Sequence, residues 1–169
     1  RALDEALSKI SLTSDDTLYV LGDMIDRGPD PVGVIKLVRS LPNARVLKGN
    51  HEQIMLDAII GQDPLDAETW DINGGWTTRE QLNDMEFEAY EELVRWMAAL
   101  PLYAVVETAE RPYLLVHAGI QTEAARAFLL EHGVDCGDGV GAVGADRELL
   151  QQMLAVQSSD DLLWIRHGY

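Results

Sequence analysis

Apolar side chains recur along the chain with two spacings, and the spacing changes at glycines and prolines. Leu3, Leu7 and Ile10 fall at i, i+4 and i+7, one stripe of a helix. Thr17-Leu18-Tyr19-Val20-Leu21 is rich in β-formers and predicts a short buried strand ending at Gly22. Past Gly28-Pro29, Asp30 suits an N-cap and Pro31 the first helical position. Val34, Leu37, Val38 and Leu41 then repeat at helical spacing until Pro42. Residues 44–47 predict a second strand closing at Gly49, and 51–60 a helix ended by Gly61. Residues 62–75, with Pro64 and Gly74-Gly75, read as irregular. Tyr90, Leu93, Val94 and Met97 give an apolar face to a helix over 87–100, stopped by Pro101. Residues 102–106 and 113–116 predict strands around a turn at Glu110-Arg111-Pro112, and 122–132 and 147–156 predict helices. Gly133, Gly137, Gly139, Gly141 and Gly144 mark 133–144 as an exposed, mobile loop. Strand-then-helix units without repeats or a linker place the chain in the α/β class, as one domain over 1–169.

Composition narrows the possibilities. The 169 residues, 47% hydrophobic and 25% charged, suffice for one sizeable core and exclude a disordered or low-complexity chain. No apolar run is long enough to span a bilayer, so no membrane is expected as a partner. Asp and Glu number 29 against 13 Lys and Arg, a net charge of −16. Such a chain repels nucleic-acid phosphates, and no nucleic-acid partner is expected. A phosphate-bearing small substrate stays possible, because bound metal ions invert the field inside one pocket. Cys136 is the single cysteine, so no intrachain disulfide can form, and a reducing, cytoplasmic location is expected. The chain opens inside a helical pattern without Met and reads as part of a longer protein.

Three strand ends carry chemistry. Gly22-Asp23-Met24-Ile25-Asp26-Arg27-Gly28 places two carboxylates and a guanidinium at a strand's carboxyl end, the edge where α/β sheets bind ligands. A carboxylate there can bridge metal ions, and an arginine can hold a phosphoryl group bidentately. Gly49-Asn50-His51-Glu52 adds an amide oxygen as a ligand and an imidazole that exchanges a proton near neutral pH. His117-Ala118-Gly119 adds another imidazole. The expectation is that all three converge on one edge of one sheet. Taken singly, each also has a plain structural reading, as a surface turn, a helix start or a rim histidine.

Together these motifs resemble the calcineurin-like metallophosphoesterases. More narrowly they resemble the serine/threonine phosphoprotein phosphatases of the bacterial and phage, lambda-phosphatase-like branch. Asn73-Gly74-Gly75-Trp76 and Leu163-Trp164-Ile165-Arg166 support that branch. The resemblance implies a β-sandwich flanked by helices, seen here without its first strand motif and C-terminal strands. It implies two divalent metal ions, manganese first and iron or zinc as alternatives. Asp23 matches the carboxylate bridging both ions, and Asn50 and His117 match ligands of the second. His51 matches the general acid, Asp26 the carboxylate that orients it, and Arg27 and Arg166 the two arginines on the phosphate. The family's Asp-x-His-Gly and Gly-His ligand motifs have no counterpart here, so the chain as it stands is expected to be inactive alone.

The function implied is hydrolysis of phosphomonoesters by direct attack of a metal-bridging hydroxide, with a phosphoprotein or small phosphomonoester as substrate. Serine/threonine protein phosphatase is placed first. A symmetrical dinucleoside tetraphosphate hydrolase comes second, because Glu52 follows the Asn-His pair where that group tends to carry Asp, and because of the Asp26-Arg27-Gly28 ending. A non-catalytic phosphate- or protein-binding module is the third reading. Specificity is expected in 62–75 and 133–144. Cys136, without basic neighbours, reads as incidental, and His132 as a helix-end residue.

Overall fold

A computed structural model describes residues 2–61, 63–136 and 145–165. Backbone contacts divide the chain into two compact units, Arg1–Leu100 and Pro101–Tyr169. The class is mixed α/β, with helices around small sheets.

The first unit runs α1 (Ala2–Ile10), β1 (Leu18–Val20), α2 (Pro31–Ser40), β2 (Ala44–Val46), α3 (Asn50–Ile60), α4 (Pro64–Ile72), α5 (Trp76–Asn83) and α6 (Phe87–Ala98). β1 and β2 pair in parallel, Leu18 opposite Ala44 and Val20 opposite Val46, with α2 as the crossover. The α2 start follows its sequence signal. The Asp30 carboxylate accepts from Gly33 N at 3.0 Å, and Pro31 occupies the first turn. Ile35, Val38, Met55, Leu93 and Met97 close the core.

Residues 64–72 are helical, which corrects the irregular reading. Asp63 caps α4 by accepting from Leu65 N at 2.9 Å, and Pro64 sits at its first turn. The Gly74-Gly75 pair forms a tight turn into α5, with Gly75 N donating to Trp70 O at 2.9 Å. Breakers at both ends of a short helix that buries Trp70 alone masked its period. α5 shows no apolar stripe either, since only Thr78 and Leu82 are buried.

The second unit runs β3 (Tyr103–Glu107), β4 (Pro112–Val116), α7 (Thr122–Glu131), α8 (Arg147–Ala155) and α9 (Ser159–Trp164). β3 and β4 form an antiparallel hairpin, Tyr103 opposite Val116. Ala125, Leu129, Leu150, Met153 and Leu154 fill its core. α9 was not anticipated. It is short, and Ser158 caps it by accepting from Asp161 N at 3.0 Å. His132 is the C-cap of α7, stacked on Phe128 with ring centroids 4.2 Å apart, in keeping with a helix-end role. Cys136 is a free thiol buried against this core. Residues 137–144 of the expected glycine-rich loop lie outside the described residues, as does Arg166. Among the described residues no helix is long and apolar enough to cross a membrane.

Candidate active site

Parallel pairing of β1 and β2 brings their two carboxyl-end loops side by side. They pass backbone against backbone because both carry glycine. A Cβ at Gly22, whose φ is +93°, would lie 2.4 Å from Gly49 Cα, and one at Gly49 would lie 2.4 Å from Asp23 Oδ1.

Beyond Gly22 the chain stays in the left-handed region at three non-glycine residues, Asp23 (φ 55°), Asp26 (φ 68°) and Arg27 (φ 59°). Each such residue costs on the order of 1–3 kcal/mol and persists only where its surroundings over-determine it. Here distant groups hold the loop's N–H donors. Glu52 Oε2 accepts from Asp23 N at 2.9 Å and its Oε1 from Met24 N at 2.8 Å. Thr78 Oγ1 accepts from Asp26 N at 2.9 Å, and Gly74 O from Arg27 N at 3.1 Å. Glu52 Oε2 also takes Gly49 N at 2.8 Å, tying both loops to one carboxylate. Glu52 is 0% exposed. Burial holds its pKa above the usual carboxylate value, and the three N–H bonds offset only part of that rise.

His51 and Asp26 pair side chain to side chain. His51 Nδ1 lies 2.7 Å from Asp26 Oδ2, and both side chains are buried. A carboxylate only accepts, so Nδ1 is the donor and Nε2 is the nitrogen able to pass a proton outward. The hydrogen bond to Asp26 raises the His51 pKa, burial opposes the rise, and Asp23 supports it. Asp26 Oδ1 accepts from Trp70 Nε1 at 3.1 Å and from Thr78 Oγ1 at 2.6 Å. The carboxylate therefore has no freedom to turn away from His51.

Arg27 is exposed, and its Nε donates to Asn73 O at 3.1 Å. The turn at Gly74 (φ +93°) presses on it: a Cβ there would lie 2.7 Å from Arg27 Cγ. The guanidinium stem is thus braced by the turn between α4 and α5, part of the 62–75 stretch expected to be irregular and to carry specificity.

Asp23 is exposed beside the buried Asn50, and Asp23 Oδ1 accepts from His51 N at 3.2 Å. A carboxylate and an amide oxygen on adjoining strand ends suit a hard or borderline divalent cation, so these residues fit the dinuclear metal centre used by metallophosphoesterases. They supply only part of one: among the described residues no three His, Cys, Asp or Glu side chains gather as a metal-holding group. Asp23 and Asp26 also border a cleft of about 910 Å³, but Leu3, Val20, Val34 and Leu37 make much of its lining, and such a wall does not suit a polyphosphate.

His117 follows β4 directly, and its turn is fixed within the second unit by Ala118 N donating to Leu162 O at 2.9 Å. The expectation of three strand ends on one sheet is corrected. β1 and β2 share a sheet, whereas β4 pairs with its sequence neighbour β3 in another. The short connection between β3 and β4 favours local antiparallel pairing. Sequence reasoning missed Trp70 and Thr78 altogether. The Asp63-Pro64 helix start and the Asn73-Gly74-Gly75 turn were the available signals for the hairpin that carries them.

The comparisons agree with this geometry. Residues 1–167 match the calcineurin-like phosphoesterase family profile. A symmetrical bis(5'-nucleosyl)-tetraphosphatase of Erwinia tasmaniensis is 34% identical over 107 residues, covering 62% of this chain and 34% of that protein. One from Aeromonas hydrophila subsp. hydrophila is 32% identical over 109 residues, 63% of this chain and 35% of that protein. One from Salmonella paratyphi C is 29% identical over 144 residues, 81% and 44%. The matches span between a third and under a half of these relatives' length. These names overturn the phosphomonoesterase reading, which placed serine/threonine protein phosphatase first, together with its phosphoprotein or small phosphomonoester substrate. The physical reason lies in Glu52, the residue that tipped the choice. It caps three backbone N–H groups inside the fold and so says nothing about the substrate.

Proposed function

The chain belongs to the calcineurin-like phosphoesterase family, and on that footing we propose that it forms the core of a metal-dependent hydrolase splitting dinucleoside tetraphosphates symmetrically. The observation that carries this reading is an arginine braced beside a buried imidazole–carboxylate pair, in a chain whose curated relatives are named tetraphosphatases.

Arg27 grips phosphoryl oxygens through its fork of N–H donors, a role that the family resemblance also gives Arg166. Asp23 and Asn50 would hold divalent cations, and the family resemblance gives His117 a ligand role too, with manganese as our choice and iron or zinc as alternatives. When bound, those ions supply Lewis-acid charge stabilisation and lower the pKa of water. His51, oriented by Asp26, gives a proton from Nε2 to the departing oxygen.

Symmetric cleavage forms a bond from a water oxygen to one of the two inner phosphorus atoms. The bridging oxygen leaves with the electron pair on the other half, so both products are nucleoside diphosphates. A diphosphate is a far weaker base than an alkoxide and needs the His51 proton less. His51→Asn is therefore expected to slow an alkyl phosphomonoester more than diadenosine tetraphosphate.

The test is chromatography of the products formed from diadenosine tetraphosphate and manganese by the native, full-length protein. ADP as the sole product supports the reading. ATP with AMP, or no hydrolysis, would overturn it.

A further inference from the structure

The Asp26 carboxylate is held at both oxygens, yet only one of its partners, His51, belongs to the chemistry described so far. Its Oδ1 accepts from Trp70 Nε1 on α4 and from Thr78 Oγ1 on α5, at 3.1 and 2.6 Å. Trp70 is 3% exposed and Thr78 0%. The Thr78 hydroxyl meets Asp26 twice: it donates to the side chain and accepts from the strained residue's own N–H at 2.9 Å. A hydroxyl can do both at once, and valine, its isostere, can do neither. The indole N–H is a donor only, and among the described residues it donates to Oδ1. Gly75, at the turn between the two helices, lets the chain close over the indole, since a Cβ there would lie 2.2 Å from Trp70 Cδ1.

We propose that Trp70 and Thr78 are positioning residues of the reaction: by saturating Asp26 Oδ1 and pinning its backbone, they commit Oδ2 to His51 Nδ1 and so fix where Nε2 delivers its proton. The inference rests on the reading of His51 as proton donor for its catalytic meaning, but not for its geometry. Without the two donors, Oδ1 has no partner on the hairpin and the carboxylate is free to rotate about its Cβ–Cγ bond. The His51 ring then loses its single defined orientation. Charged groups near the pair are Asp23 and Arg27 of the same loop, and Glu52 of α3, which touches Asp23 and Met24.

The experiment uses the native protein labelled with ¹⁵N-histidine, together with Thr78→Val, Trp70→Phe and Thr78→Ser. Two quantities are read at one slightly acidic pH: the downfield resonance of the His51 Nδ1–H, and kcat and KM on phosphomonoesters with good and poor leaving groups. Circular dichroism checks the fold. We expect Thr78→Val and Trp70→Phe to shift or broaden that resonance, and Thr78→Ser, which keeps the hydroxyl, to restore it. On the poor leaving group kcat should fall about tenfold with KM unchanged, part of the contribution of a positioned acid. The activated ester should lose less. If Thr78→Val fails to fold, Trp70→Phe decides. A folded variant whose Nδ1–H resonance stays where it is in the native protein overturns the proposal. Should His51→Asn cost the same on good and poor leaving groups, the general-acid reading falls while the resonance result still judges the positioning.

Discussion

The interiors of the two units are built differently. The first buries Asp26, Asn50, His51, Glu52 and Thr78 among its apolar side chains, and most of the strained non-glycine residues lie in a single loop over them. The second buries an almost wholly apolar set, with Gln157 as its buried polar side chain among the described residues. Satisfaction differs too. Glu52 accepts three backbone N–H bonds and Asp26 three side-chain bonds. Gln157 Oε1 accepts from Gln121 N at 2.7 Å, but its buried Nε2 has no partner among the described residues. A buried polar group is tolerable only when hydrogen-bonded. The first unit therefore spends its polar interior on holding geometry, and the second uses its interior for packing.

Glu52→Leu should expose this contrast most. It strips acceptors from Asp23, Met24 and Gly49 N–H groups at about 1–3 kcal/mol each. A loss of roughly 5 kcal/mol by urea denaturation is expected, and a loss below about 1 kcal/mol would break the comparison. Leu154→Ala, at a fully buried position of the second unit, should cost about 3 kcal/mol through its cavity. The same titration checks it, and a near-zero cost would mean the apolar interior is loosely packed.

A smaller effect depends on pH. Asp26 raises the folded His51 pKa above its ordinary 6.5, so the folded state binds the proton more tightly than the unfolded one. The pair's stability is then fully present below about pH 6.5 and lost as pH climbs through the raised folded value. The stability difference between the native protein and His51→Asn should shrink as pH rises, measured by urea titrations at successive pH. A difference that widens would show the ring sits neutral. The smallest effect is Gln157→Met, which removes one hydrogen bond and one orphaned amide together and should stay within about 1 kcal/mol. A larger loss would place a hidden polar role in the second unit.

Much of the site was legible because its signals are local. Asp30-Pro31 announced α2, the glycines at 22 and 49 announced the loops, and the candidate ligands stand within a few residues of strand ends. Trp70 and Thr78 were not legible. They lie 44 and 52 residues from Asp26, on helices whose few buried positions leave no periodic stripe. Glu52 was visible but misread, since its neighbours in sequence suggested a substrate signal and its bonds in space are structural.

By itself the sequence determined the α/β class, the cysteine-poor acidic composition and which side chains stand as candidates for phosphate, metal and proton. Those follow from residue chemistry and near-neighbour spacing. Tertiary structure alone decided which oxygen of Asp26 faces His51, what holds a strained loop in the left-handed region, and that β4 pairs outside the β1–β2 sheet. Hydrogen bonds depend on direction and distance in space, and long-range packing sets both.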